Sequence, residues 1–254
     1  MRNASLWHPI LVFLAATSAA SVVLILLQAL LDIDYRYAAM TQLGPAIGLF
    51  FTWYFYGSEN REVLPRPSLS LRSFGLRFAA VVLLVAAYVG LTWLLSVLLG
   101  VQQAEAGFNL AMLIVFLAAQ LIGAVGEEVG WRGFLQPSLE RVWHPLPAAI
   151  ATGGIWALWH VQVLANPLFF IAFAGVCILV SLFLGRIALG AWWQRGILAG
   201  LVHWAINVGI VLVADVERVV NSDLVHRLPL LLPQVVLGIV GAVWIAVLMR
   251  RKEE

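Results

Sequence analysis

Uncharged apolar runs of bilayer length, repeated along the chain, restrict this sequence more than any motif in it. Ile10 to Leu31 carries no charge and, at about 1.5 Å per helical residue, is long enough to cross a hydrocarbon core of ~30 Å. A cleavable signal peptide has a shorter apolar region, so this run reads as a retained first span. A polar turn, Asp32 to Arg36, leads to a second span over about Met40 to Tyr56, which Gly44-Pro45 is expected to kink. Gly57 to Arg77 holds Arg61, Arg66, Arg72 and Arg77 with Pro65 and Pro67, and reads as a solvated loop. Phe78 to about Gly100 is the third span, followed by a turn around Gln102, Gln103 and Glu105. Ala106 begins the fourth span, which continues past the membrane surface to about Arg141.

Between Val142 and Ile187 the one formally charged residue is Arg186, over a length too great for a single crossing. Asn166-Pro167 divides it into spans five and six, because the residue before a proline is pushed out of the helical region. Gly196 to Ala214 is the seventh span, Asp215 to Arg227 a loop, and Leu228 to Met249 the eighth. With the N-terminus inside, every Arg and Lys except Arg36, Arg218 and Arg227 falls on the cytoplasmic side, as the positive-inside rule requires of an even span count.

The composition agrees. The chain is 63% hydrophobic and 11% charged with a mean hydropathy of +0.96, whereas about a quarter of a soluble domain is charged. The expected fold is all-α: a polytopic, multi-pass integral protein of the cell membrane with eight transmembrane helices and both termini cytoplasmic. It forms a single domain over residues 1–254, with its motif-bearing core at about 106–214. Its scattered basic residues and net charge of +2 exclude nucleic acid as a partner. One cysteine, Cys177, gives neither a disulfide framework nor a thiolate metal cluster.

Against this background Gly126-Glu127-Glu128-Val129-Gly130-Trp131-Arg132-Gly133 places two adjacent carboxylates at membrane depth. Each costs roughly 2.5 to 3.5 kcal/mol at a helix centre, so they mark a site. His160, His203 and Asn207 are the other titratable or amide side chains in places that lipid normally excludes. His203 and Asn207 share a helix face with Gly196 and Gly200, and Gly126, Gly130 and Gly133 form a second small-residue stripe; such stripes let another helix approach closely. Glu128 and Arg132 form an i, i+4 pair in the favourable order, which leaves Glu127, about 100° around, to face a cavity.

An antiparallel hairpin centred near Trp143 puts Glu127 and His160 at one level. His203 lies roughly 10 Å beyond the turn at Arg195 and shares that plane if the hairpin projects beyond the surface. Glu127, His160 and His203 are then expected to line one water-filled cavity open to the cytoplasm. His160 lies so near Asn166 that helix five is expected to stop short of the outer face. His8, His144 and His226 fall near span ends. Trp7, Trp53, Trp93, Trp143, Trp192 and Trp193 read as interfacial anchors, and Trp156, Trp159 and Trp204 as residues that shape the cavity.

Glu127-Glu128-x-x-x-Arg132, the aromatic-x-x-x-His from Trp156 to His160, and His203-x-x-x-Asn207 resemble, in order, the three motifs of the CPBP family of intramembrane proteases. That family includes the prenyl-protein CAAX endopeptidases and bacteriocin-processing and self-immunity (Abi-like) relatives. Its second motif often has Phe where this chain has Trp156. The resemblance implies an endopeptidase with Glu127, Glu128, Arg132, His160, His203 and Asn207 at its site. It would cut a membrane-associated protein or peptide near the cytoplasmic face of the lipid bilayer. A CAAX substrate is not implied.

Peptide hydrolysis needs a deprotonated water, an acid for the leaving amine and donors for the oxyanion. Glu127 can act as base and then acid, His160 can share and orient the water, and His203 and Asn207 can donate to the oxyanion. The family label of metalloprotease implies Zn2+, for which Glu127, His160 and His203 are the available ligands. As a ligand, however, Glu127 is lost as the base, and Glu128 would have to replace it while paired with Arg132. The residues therefore favour metal-free, glutamate-dependent hydrolysis, with zinc as the alternative. Two readings from other classes stand beside the protease: a transporter with a polar intramembrane path, and a non-enzymatic immunity or partner-binding protein. No internal symmetry supports the first, and the complete polar set disfavours the second.

Overall fold

Lipid offers the backbone no hydrogen-bond partners, so a chain at membrane depth must satisfy its own amides and carbonyls, and this one does so as helices. A computed structural model describes residues 2–35, 38–57, 68–101, 109–161, 164, 167–213 and 224–250, and among them there is no strand. The helices are α1 (Arg2–Leu30), α2 (Gly44–Tyr56) after a 3-10 turn (Met40–Leu43), and α3 (Leu71–Leu98). α4 (Leu110–Gly130) is continued by a π-helical turn (Trp131–Leu135) and a last α turn (Gln136–Leu139). α5 (Pro145–Trp159), α6 (Pro167–Ile187), α7 (Trp192–Val213) and α8 (Leu224–Arg250) follow. Arg36, Arg61, Arg66, the turn around Gln102 to Glu105, Asn166, the first part of the loop from Asp215, Arg218, Arg251 and Lys252 lie outside the described residues.

The outer surface is apolar, with Leu26, Leu83 and Leu110 each more than 60% exposed, as suits a lipid-facing belt. Five stretches are long and apolar enough to cross a membrane: Trp7–Leu30, Leu71–Leu98, Leu110–Leu139, Phe169–Ile187 and Arg227–Val247. The chain is a multi-pass integral membrane protein. At 13 and 15 residues, α2 and α5 reach only about 20 Å and 22 Å. The 22-residue α7 is long enough but carries Gln194, Arg195, His203 and Asn207.

Each expected span has a helix, but several boundaries differ. Pro45 does not kink a helix; it sits in the first turn of α2, where its missing N–H costs nothing. α3 begins at Leu71, so Arg72 and Arg77 belong to a helix, capped by Ser70 Oγ, which accepts from the Ser73 amide. α7 begins at Trp192, placing Arg195 in its first turn. Arg227, read as loop, lies inside α8. α5 stops at Trp159, as its shortness before Asn166 foretold.

Small residues set how the helices meet. A methyl group on Gly196 or Gly200 would collide with Val129 or Val125 of α4, and one on Gly130 would collide with Pro45 of α2. The two predicted stripes thus dock α4 between α2 and α7. Several buried hydroxyls are satisfied within their own helices: Thr92, Ser96, Ser138 and Thr152 each donate to the carbonyl four residues earlier. One end of the bundle gathers the connections. Gln194 accepts from the Leu69 amide and donates to its carbonyl, Arg186 donates to Glu140, and Trp7 meets Trp143 edge-on. The segments around Trp7, Leu69, Glu140 and Arg186, four of those expected on the cytoplasmic side, therefore meet at this end.

Gly200→Ala would place its methyl 2.7 Å from Val125 Cγ2 and 2.8 Å from Val125 Cα. It is expected to lower stability by about 1–3 kcal/mol, read as a lower midpoint in thermal unfolding of the purified protein. Gly175→Ala, with nothing within 4 Å of the new methyl, should leave that midpoint in place.

Candidate active site

The site begins where α4 changes its winding. The Trp131 amide shares its bond between the carbonyls of Glu127 and Glu128, and the five residues Trp131–Leu135 form the π turn. Such turns recur at functional sites. Gly133 within it lets the Trp192 carbonyl come to 2.9 Å from where a Cβ would stand. Arg132 reaches back to Glu128, with Nη1 donating to Oε1 at 2.8 Å and both side chains fully buried. The predicted i, i+4 pair is therefore present, but it is not isolated. His203 Nδ1 lies 3.0 Å from the same Oε1. Among the described residues Glu128 Oε2 and Arg132 Nε and Nη2 are closed to solvent with no hydrogen-bond partner, which marks this as a concentrated polar centre.

Glu127 is 3% exposed and takes a different partner, the indole N–H of Trp156, which donates to Oε2 at 2.8 Å. Oε1 of Glu127 accepts nothing among the described residues. The Trp156 ring also lies under the Arg132 guanidinium, 4.9 Å from ring centroid to Cζ, and meets the His203 ring edge-on at 5.0 Å. Its backbone carbonyl lies 2.9 Å from His160 Nδ1. A carbonyl only accepts, so Nδ1 carries the proton and Nε2 of the neutral ring keeps its lone pair. His160 itself stands just past the end of α5, with φ −86° and ψ 66°.

Five of the six sequence-predicted residues, Glu127, Glu128, Arg132, His160 and His203, are thus joined to one another or through Trp156. The sixth, Asn207, lies one turn beyond His203 and donates from Nδ2 to Gln120 Oε1 at 3.2 Å. His203 pairs with Glu128, the carboxylate that faces α7. One detail of the expected geometry is corrected. Trp156, not His160, stands level with Glu127, since the hairpin turns at residues 140–144 and so sets position 156 opposite 127.

A cavity of about 280 Å³ lies between α5, α6, α7 and α8. Trp156, His160, His203, Asn207, Arg227 and Gln234 line it, and its other lining residues are apolar except Cys177. Glu127 is not on its wall but behind Trp156. The cavity runs from the histidines toward Phe169, Ile210 and Arg227, away from the end that holds Glu140 and Arg186.

As placed, no three His, Cys, Asp or Glu side chains converge on a point that could hold a metal ion among the described residues. Glu127 Oε2 is occupied by Trp156, and His203 Nδ1 and His160 Nδ1 are turned to Glu128 and to a carbonyl. The donor set in this arrangement does not fit a catalytic zinc, which needs three ligands at one centre.

Sequence reasoning missed Gln120 and the N–H of Trp156. Gln120 had a signal: it is the one amide between Leu110 and Glu127 and sits two turns before Glu127 on nearly the same face.

An all-helical membrane protein with a buried Glu-Glu-Arg-His-His cluster beside an apolar cavity is the class defined here. Residues 109–209 match the family described as type II CAAX prenyl endopeptidase Rce1-like. That matched segment contains all six motif residues. A relative described as CAAX prenyl protease 2, from Methanococcus maripaludis, is 34% identical over 89 residues, which cover 33% of this chain and 33% of the relative. The match spans a third of that relative's length.

Removing Arg132 strands a buried carboxylate. Arg132→Ala is expected to cost about 3–5 kcal/mol, and Arg132→Ala combined with Glu128→Gln should cost less than the sum of the two single changes. Denaturation of all three variants in one detergent measures this.

Proposed function

We propose that this protein is an intramembrane endopeptidase that hydrolyses a peptide bond of a membrane-associated protein or peptide. The observation that carries the reading is the gathering of Glu127, Glu128, Arg132, His160 and His203 about Trp156 at one end of an apolar cavity. The family of residues 109–209 points the same way. In this reading one domain of eight spans, both termini cytoplasmic, sits in the cell membrane and cuts near the cytoplasmic face. A reporter fused after Lys252 is expected to be cytoplasmic.

In the proposed mechanism Glu127 Oε1 takes a proton from water, while His160 Nε2 accepts the water's second hydrogen and orients it. The hydroxide adds to the scissile carbonyl carbon, and the oxyanion is met by the free Nδ2 hydrogen of Asn207 and by His203. His203 can donate from Nε2 only when doubly protonated, because Nδ1–H is directed at Glu128; Glu128 is then its counter-ion. Glu127 returns the proton to the departing amine as the C–N bond breaks. Each residue keeps one role without a metal.

Glu127→Gln should abolish cleavage with little loss of folded protein. Comparing membrane-proximal peptide ends in host cells that carry wild type or Glu127→Gln tests this; ends unchanged between the two overturn it. Chelator-washed wild type should retain activity. Stoichiometric zinc that leaves and returns together with activity would refute the metal-free step.

A further inference from the structure

We infer that Trp156 is a positioning residue whose indole N–H divides the labour between the two oxygens of Glu127. The inference rests on Glu127 being the base. A glutamate carboxylate turns readily about its last bond, and its two oxygens are chemically alike until something distinguishes them. Here Trp156 Nε1 donates to Oε2 at 2.8 Å. An indole N–H is a donor only, so it can neither accept nor relay a proton. While the bond stands, Oε2 is occupied on its Trp156 side and the carboxylate plane is fixed. The proton taken from water then resides on Oε1, the oxygen that also returns it to the amine. One O–H bond of water breaks, one O–H bond forms at Oε1, and the same proton leaves Oε1 for the nitrogen as the C–N bond opens.

The indole is itself held from several sides. Arg132 lies over its ring, His203 meets its edge, and its carbonyl takes the His160 Nδ1–H. The ring is 6% exposed and fixed by the same residues that do the chemistry. Phe, which often stands at this place in the motif that the sequence resembles, would keep the ring contacts and lack the N–H. The hydrogen bond to Glu127 is therefore a property of this chain's own tryptophan, and the N–H can be removed separately from the ring.

The test replaces Trp156 in the full-length membrane protein with Phe and, separately, with 3-benzothienylalanine, which keeps the indole shape but has sulfur in place of N–H. The probe is whichever host peptide shows the Glu127-dependent end. Both variants are expected to lower kcat by about tenfold to a hundredfold, the worth of a buried hydrogen bond to a charged group, with KM unchanged. If Trp156→Phe does not fold, the benzothienyl variant, nearly isosteric with the native ring, carries the comparison.

A second readout needs no activity. In protein labelled with ¹⁵N-tryptophan, the Trp156 indole resonance, assigned by its absence from Trp156→Phe or the benzothienyl variant, should shift on Glu127→Ala. Wild-type kcat in the benzothienyl variant overturns the inference, as does an indole resonance unmoved by Glu127→Ala. A resonance that moves while Glu127→Gln still cleaves leaves the hydrogen bond standing and refutes the base assignment, and with it the catalytic part of this inference.

Discussion

An ionised carboxylate removed from water has to be surrounded by its own donors, and the rest of this site follows from how Glu128 meets that demand. Its Oε1 is shared by Arg132 from the π turn and His203 from α7, so a single oxygen ties the end of one helix to the middle of another. Pairing of this kind is costly to build, since the desolvation of both ions offsets much of their attraction. What it provides is register: α4 and α7 cannot slide or rotate past one another without stranding a charge. The glycines at positions 196 and 200 serve the same docking, letting α7 lie against Val125 and Val129 closely enough for His203 to reach. Packing and electrostatics thus specify one interface twice.

The residues outside that pair divide by polarity in a way that suits chemistry in lipid. Trp156 has polar neighbours at its N–H and its carbonyl and presents its ring to Arg132 and His203. Beyond it the cavity is almost wholly apolar until Arg227 and Gln234. A site of this form keeps bulk water from its charges while leaving His160, His203 and Asn207 on the wall of a space with room for a ligand. Low dielectric around fixed dipoles strengthens each of these contacts, which is how few groups can suffice.

Much of this was legible in the sequence because a bilayer leaves few options. Apolar length located the helices, and charge in the wrong solvent located Glu127, Glu128, His160 and His203. The small-residue stripes gave the contacts of α4. What was not legible depended on rotation and on local winding. Period and depth arguments place a residue along a helix to within a turn, which was enough to bring Glu127 near α5 but not to choose Trp156 over His160 as its neighbour. Nor does spacing tell which of two adjacent glutamates faces α7. The ends of α3, α7 and α8 shifted because helices in this protein run on into their flanking basic residues, so Arg72, Arg77, Arg195 and Arg227 sit on helical turns that hydropathy alone assigns to loops.

The π turn at Trp131–Leu135 acts as a phase shifter. A fifth residue in one turn rotates everything beyond it by about 100° relative to a continuous α-helix. Upstream, α4 presents Gly126 to the 3-10 turn, Gly130 to α2 and Glu128 to α7; downstream, Gln136 packs at Gly185 and Glu140 meets Arg186, both on α6. A regular helix through the same residues could serve one of these two sets of neighbours but not both. Loss of Phe134 or Leu135 from this turn would therefore leave each motif intact in the sequence while disengaging the carboxylates from the Gly185 and Arg186 contacts that anchor the same helix.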